Sequence, residues 1–201
     1  MYCKNIQPMR IMEKQTKFSQ LIFGAALVTL LLLSIPLVAM QFTNDVTWGP
    51  VDFIIAGTLL FSTALSFAVV IKVNTNIVYR AAIGLALGST LFLIWANLAV
   101  GLIGSGPNLG NLMYMGVVAV VVIGSILSRF STGGIERAMY LTSIALVLVA
   151  VIALLADMDK YPGSSVKEIA GVNAFFAILY AVSGSLFRFV SREQSPAKSQ
   201  G

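Results

Sequence analysis

Residues 51–80 read VDFIIAGTLLFSTALSFAVVIKVNTNIVYR. No charged side chain occurs from Phe53 to Ile71, and the cations Lys72 and Arg80 mark the short connection to the next apolar run. An apolar run of about 20 residues is long enough to cross the hydrocarbon core of a bilayer as a helix. The stretch therefore predicts a membrane-spanning helix followed by a short basic loop.

The composition of the whole chain agrees with this interpretation. Of the 201 residues, 58% are hydrophobic and 10% are charged, whereas an ordinary soluble domain has about 25% charged residues. This excludes a water-soluble fold. We predict an all-α, polytopic transmembrane helical bundle, in which one domain over 21–187 joins the polar tails 1–20 and 188–201. Its six predicted spans are approximately 21–40, 51–71, 77–103, 112–127, 138–156 and 169–187.

The distribution of basic residues predicts the orientation. Lys160 and Lys167 fall on one side of the predicted membrane, and the other eleven of the 13 Lys and Arg residues fall on the opposite side. Cytoplasmic loops and tails carry the Lys and Arg excess in multi-pass proteins with short loops. We therefore expect a multi-pass membrane protein with both termini in the cytoplasm. The eleven are Lys4, Arg10, Lys14, Lys17, Lys72, Arg80, Arg129, Arg137, Arg188, Arg192 and Lys198.

Three alternatives stay open at the level of sequence. The first span, which contains Pro36, is either retained or removed as a signal peptide, and its length favours retention. Translation starts at Met1, Met9 or Met12. A weak echo between the segments that begin at Arg80 and Arg137 indicates either duplicated helical hairpins or chance similarity between apolar helices.

Four polar residues are candidates for an outward-facing ligand site. Asp52 lies at the start of the second predicted span, and Asn97 lies near the outer end of the third. Polar side chains in membrane spans usually face the bundle interior or water. We predict a small polar cavity in which Asp52 and Asn97 form a hydrogen bond, with Tyr114 and Asn173 as further members. The alternative is interfacial anchoring by the aromatic residue and helix capping by the others.

Small residues predict where helices pack. Gly84 and Gly88 form a GxxxG pair, and Ala177 and Ala181 continue a four-residue repeat, so both motifs are expected at close helix contacts, within the bundle or between copies. The segment GSGPNLGN at 104–111 lacks the lysine of a phosphate-binding loop. We interpret it as a turn with Asn108 or Asn111 as a helix cap. Gly133 and Gly134 are likewise predicted to form a turn.

The chain offers few groups for metal or cofactor chemistry. It contains no His and one Cys, Cys3, which removes bis-His haem sites, the common zinc sites and an internal disulfide. We expect no metal and no cofactor. The basic residues sit at the ends of the predicted helices and form no stripe with aromatic residues, so we expect no nucleic-acid partner. The expected partners are the lipid bilayer and either other membrane proteins or a second copy.

Four segments carry a family resemblance. The stretch WANLAVGLIG at 95–104, followed by NLMY at 111–114, resembles a family of small bacterial integral membrane proteins of uncharacterised activity. The pair RA at 137–138 and NAFF at 173–176 are similar to the same family, and the likeness covers 51–192. The resemblance implies a bacterial inner-membrane location. The loop acid typical of that family is missing from 105–111, which removes a role for a loop carboxylate.

Three functions compete at this stage. A structural or accessory membrane component is favoured because the chain has so few reactive side chains. A transporter or permeation component is the first alternative, and it is weakened by the lack of a charged residue near the predicted midplane of the bilayer. A quinone-interacting redox protein is the second alternative. An enzyme activity ranks last, since only carboxylates and Tyr are available for catalysis.

Overall fold

The computed structural model of the chain describes residues 6–43, 47–105 and 108–194. The described residues form six α-helices and two short 3-10 turns, at Leu109–Leu112 and Met158–Lys160. All six helices contain a segment long and apolar enough to cross a membrane, which confirms the predicted all-α multi-pass architecture. The helices are α1 (Ile6–Phe42), α2 (Pro50–Val73), α3 (Ile77–Ala99), α4 (Met113–Leu127), α5 (Thr132–Leu155) and α6 (Val166–Gln194).

The chain divides into two compact units. The first contains the hairpin of α1 and α2, which pack on each other through small residues. Ala25 and Ala56 are buried, and the Leu33 side chain lies 3.4 Å from the position that a Cβ atom at Gly57 would occupy. Thr29 is also buried, and its hydroxyl donates to the carbonyl of Ala25 within the same helix. This bond satisfies the one polar side chain at the contact.

The second unit contains α3 to α6, and α6 lies at its centre. Helix α6 contacts α3 on one side and α5 on the other, and α4 packs mainly against α5. The lateral order is therefore α3, α6, α5, α4. Buried positions recur along α6 at alternating steps of four and three residues, which is the repeat of a helix face enclosed by neighbours. They are Ile169, Asn173, Phe176, Tyr180, Ser183, Phe187 and Val190.

The contact between α3 and α6 uses a different face of α3 from the one that the sequence predicted. The buried residues of α3 are Ala82, Ala86, Ser89 and Leu93. A Cβ atom at Gly88 would meet nothing within 4 Å, so Gly88 makes no close helix contact among the described residues. These alanine and serine residues allow the close helix approach that was expected from the GxxxG pair. Across this contact, the Ser183 hydroxyl of α6 donates a hydrogen bond to the carbonyl of Ala82 at 2.9 Å.

Glycines make the close contacts around α5 instead. A Cβ atom at Gly124 in α4 would lie 2.9 Å from Cβ of Ala138, and one at Gly184 in α6 would lie 3.3 Å from Cβ of Met139. The Ser143 hydroxyl of α5 donates to the carbonyl of Ala177 in α6 at 2.8 Å. Ala177 is buried as expected, whereas the predicted packing residue Ala181 is partly exposed.

Several helix boundaries differ from the predicted ones. Helix α3 ends at Ala99 rather than near residue 103, since Gly101 and Gly104 adopt φ values of 74° and 67°. Helices α1 and α6 begin earlier and end later than the predicted spans. The predicted tails thus include helical residues, 6–20 and 188–194. Cys3, Met1 and Lys198 lie outside the described residues.

The turn predicted at Gly133 and Gly134 is wrong, because both residues belong to the first turn of α5. The chain reverses instead at Arg129 and Phe130, whose φ values of 49° and 55° are left-handed. The Phe130 amide donates to the carbonyl of Ser125 and closes the end of α4. Gly134 is still required there, because a Cβ atom would lie 2.2 Å from Cβ of Ser128.

Replacing Gly124 with Val should destabilise the second unit by about 1–3 kcal/mol, because the added side chain overlaps Ala138 across the contact between α4 and α5. Gly116→Val is the matched control, since Gly116 lies in the same helix with no atom within 4 Å of its Cβ position. Thermal unfolding in detergent measures both variants. Equal melting temperatures for the two variants would contradict the contact.

Candidate functional site

Tyr114 and Asn173 join α4 to α6 in the interior of the second unit. Asn173 Nδ2 donates to the Tyr114 hydroxyl at 2.9 Å and to the carbonyl of Ile169 at 2.8 Å. Both residues are 1% exposed. Asn173 Oδ1 is buried and has no hydrogen-bond partner among the described residues. The pair therefore connects two helices and keeps one free acceptor inside the protein.

Asn111 fixes the loop that joins α3 to α4. Its Oδ1 accepts hydrogen bonds from the amides of Leu102 and Ile103, both at 2.9 Å, and its Nδ2 donates to the carbonyl of Ile103 at 3.2 Å. The side chain is 8% exposed. One amide group thus replaces the helical bonds that the chain loses beyond Ala99. As predicted, Asn108 acts as a cap, for the short turn before α4.

The loop between α3 and α4 is also attached to the loop between α5 and α6. The amide and the hydroxyl of Ser105 donate to the carbonyl of Pro162 at 2.8 and 3.0 Å. Gly104 and Gly163 both have left-handed φ values, and the position of a Cβ atom on Gly163 lies 3.1 Å from Cβ of Ser105. Because the two loops touch at backbone distance, they close this end of the second unit.

Asn97 lies on the last turn of α3 and contacts the same loop. Its Nδ2 donates to the carbonyl of Asn111 at 3.2 Å, and its Oδ1 is buried without a partner among the described residues. Asn97, Asn111 and the loop backbone therefore form one connected set of hydrogen bonds. We call the set of Asn97, Asn111, Tyr114 and Asn173 the polar cluster.

Asp52 lies in the first unit and caps its own helix. It is exposed in the first turn of α2, where its Oδ2 accepts a hydrogen bond from the amide of Gly49 at 2.7 Å. A carboxylate in this position is stabilised by the helix dipole. The geometry thus matches the capping alternative, and a ligand role shared by Asp52 and Asn97 stays a prediction.

The structure corrects one part of the predicted site. Tyr114 and Asn173 were expected to line a cavity open to the outer face, and they are instead buried and bonded to each other. The reason is the closed loop end, which the polar residues of the loops themselves hold together. The polar cluster can restrain the helices and the loop, and it presents two unpaired acceptor oxygens inside the protein.

Three polar features were missed from the sequence. The Tyr180 hydroxyl of α6 lies 2.8 Å from Thr90 Oγ1 of α3. At the end of the unit where α4 joins α5, Glu136 Oε2 accepts a hydrogen bond from the Ser191 hydroxyl, and Arg188 Nε lies 3.9 Å from Glu136 Oε1. An acid in an otherwise basic loop was the signal for this contact. At the start of α6 the Ser165 hydroxyl accepts from the Glu168 amide at 3.2 Å and donates to Glu168 Oε2 at 3.0 Å, and the S-x-x-E pattern was the signal for this cap.

Comparison with known proteins adds no identification. No family model, no curated protein and no solved structure matches the chain. Across residues 6–43, 47–105 and 108–194, no group of three or more His, Cys, Asp or Glu residues could hold a metal ion. The class that the fold defines is a multi-pass helical membrane protein, and the family resemblance stays a prediction.

Replacing Asn111 with Ala should release the loop and destabilise the second unit by about 2 kcal/mol, because two backbone amides lose their acceptor. Hydrogen exchange followed by mass spectrometry should show faster exchange at Leu102 and Ile103. Asn76→Ala is the control, since it removes the cap bond to Tyr79 at the other end of α3. Unchanged exchange in the 101–105 segment of Asn111→Ala would refute the anchoring role.

Proposed function

We propose that this protein is a structural or accessory component of a bacterial inner membrane. It binds another membrane protein through the side of α3 that faces away from α6. The observation that supports the proposal most directly is Gly88. Glycine in the interior of a helix costs about 1 kcal/mol relative to alanine. Gly88 is exposed, and a Cβ atom there would meet nothing within 4 Å, so packing within the described residues leaves room for an alanine at this position.

A glycine on the lipid-facing side of a helix permits the backbone of another helix to approach closely. Gly84, which is partly exposed, lies one turn before Gly88 on the same side of α3, and we call the line of these two glycines the α3 strip. The opposite side of α3 is already occupied by α6 through Ala82 and Ala86. Helix α3 therefore has an internal side that is filled and an outer side suited to a partner helix.

The interior of the second unit favours this role over transport. A transporter needs polar groups that line a path, whereas Tyr114, Tyr180, Asn173 and Ser183 are each at most 1% exposed. Their hydrogen bonds run to neighbouring helices. Interhelical hydrogen bonds of this kind restrain a bundle and do not supply a passage.

Gly88→Leu should remove the captured partner while leaving the fold intact, because the added side chain blocks close helix approach and meets open space in the protein alone. The measurement is affinity purification of the tagged chain from native membranes in mild detergent, after chemical cross-linking, with quantitative mass spectrometry. Gly116→Leu is the matched control, since it places the same side chain on an open face of α4.

The expected result is one membrane protein enriched at least tenfold with the unmodified chain and Gly116→Leu, and lost with Gly88→Leu. Recovery of the chain alone, or equal recovery of the partner with all three proteins, would refute the accessory role. Recovery of a second, differently tagged copy of this chain in place of another protein would make self-association the function of the α3 strip.

The same proposal includes an orientation with both termini in the cytoplasm. It is supported by the basic residues at one end of the second unit, where Arg129 and Arg137 flank the turn before α5 and Arg188 lies near the end of α6. Lys160 and Lys167 lie at the other end. The positive-inside rule assigns the end with more Lys and Arg to the cytoplasm.

Single cysteines introduced in a Cys3→Ser background test this orientation in intact cells. Ser131→Cys in the basic loop should resist a membrane-impermeant maleimide, and Val166→Cys at the start of α6, where the side chain is 52% exposed, should react. Opening the cells should make Ser131→Cys reactive. Labelling of Ser131→Cys in intact cells would reverse the proposed orientation.

A further inference from the structure

An apolar groove lies between α3 and α6 at the end of the second unit that the loops close. It has a volume of about 350 Å³ and is lined by Phe92, Ala96, Leu102, Gly171, Val172, Phe175 and Phe176. Phe176 forms its floor at 2% exposure, and the exposed rings of Phe92 and Phe175 meet edge to face with centroids 6.2 Å apart, so the three rings form one continuous aromatic wall. The two small residues, Ala96 and Gly171, leave the groove open beside this wall.

The groove is preformed because its surroundings are restrained. Leu102 belongs to the loop that Asn111 holds, through the bond from the Leu102 amide to Asn111 Oδ1. Phe176 contacts both other rings, with centroids 5.5 Å from Phe92 and 5.2 Å from Phe175. The walls therefore need no rearrangement to accept a ligand, which lowers the free-energy cost of binding.

The size and position of the groove fit a hydrocarbon chain. An α-helix is about 10–12 Å wide with its side chains, so a helix can rest across this hollow but cannot enter it. Gly171 lies five residues after the start of α6, which places the groove about 8 Å along the helix from its first residue. An acyl chain enters the membrane at this depth, directly below the headgroups.

A cation lies where the headgroup of such a lipid would be. Lys167 is exposed one helical turn before Gly171, on the same face of α6. Long side chains on a helix point back towards its N-terminus, so the Lys167 ammonium group extends away from the groove towards the membrane surface. The apolar groove and the positive charge thus lie in line along one face of α6, in the same order as the acyl chain and the phosphate of an anionic lipid.

We propose that the groove between α3 and α6 binds one acyl chain of an anionic glycerophospholipid, whose phosphate pairs with Lys167. The acyl chain lies along the wall formed by Phe92 and Phe175, and Ala96 and Gly171 supply the room beside it. The bound lipid covers the seam between α3 and α6, which are distant in sequence. This site does not depend on the accessory role and would exist whether or not Gly88 contacts a partner.

The test is native mass spectrometry of the full chain in detergent, with phosphatidylglycerol or phosphatidylcholine of identical acyl chains added. The unmodified protein should retain one phosphatidylglycerol at least fivefold more often than phosphatidylcholine. Gly171→Leu should lower this occupancy at least tenfold, because leucine fills the groove and a Cβ atom there meets nothing within 4 Å. Gly116→Leu should bind as the unmodified protein does. Ala96→Leu fills the groove from α3, so the result does not rest on one variant.

Lys167→Gln should abolish the preference for phosphatidylglycerol and keep residual binding of both lipids. Lys160→Gln is its control, since Lys160 lies at the same end and pairs with Asp157 at 2.7 Å. Equal occupancy in Gly171→Leu and the unmodified protein would overturn the proposal, as would equal binding of the two lipids. A copurified quinone in the groove, or a disulfide between two copies of Gly171→Cys in a Cys3→Ser background, would assign it to a different occupant.

Discussion

An unpaired polar group is costly in apolar surroundings, and the pairing of buried polar side chains across helices and loops organises the second unit. Asn111 shows it most clearly, because one side chain satisfies two amides and a carbonyl in a loop that has left the α3 helix. The same rule explains why Ser183, Ser143 and Thr90 sit where helices meet. Apolar residues supply most of the contact area. The polar residues decide which faces meet and at what register.

Helix α6 is the element on which both proposals converge. Tyr180 and Ser183 of α6 bond to α3, so α3 is held at a fixed rotation and Gly88 is directed away from α6. Near the loops the contact between α3 and α6 opens into the aromatic groove. The first unit differs, since only 11% and 6% of the residues in the most apolar segments of α1 and α2 are buried, against 39% in α6.

The number and type of helices were predictable because hydropathy and span length are properties of continuous segments. Helix ends were less predictable. Nothing local shows that Leu102 and Ile103 would bond to a side chain eight or nine residues later, so α3 seemed to continue. Gly133 and Gly134 suggested a turn, although the reversal uses Arg129 and Phe130. The GxxxG pair was visible in the sequence, but the side of α3 that faces α6 is set by tertiary packing. Asn173 and Tyr114 were predicted as members of a polar cavity open to the outer face, and their direct bond could not be inferred from positions 59 residues apart.

The lateral order of the helices in the second unit has a consequence for biosynthesis. Helices α3 and α5 both contact α6, which leaves the ribosome after them. Until it emerges, Ala82 and Ser89 of α3 and Ser143 of α5 lack the surface that encloses them. Packing of α3 and α5 in this unit is therefore completed only after α6 has been synthesised.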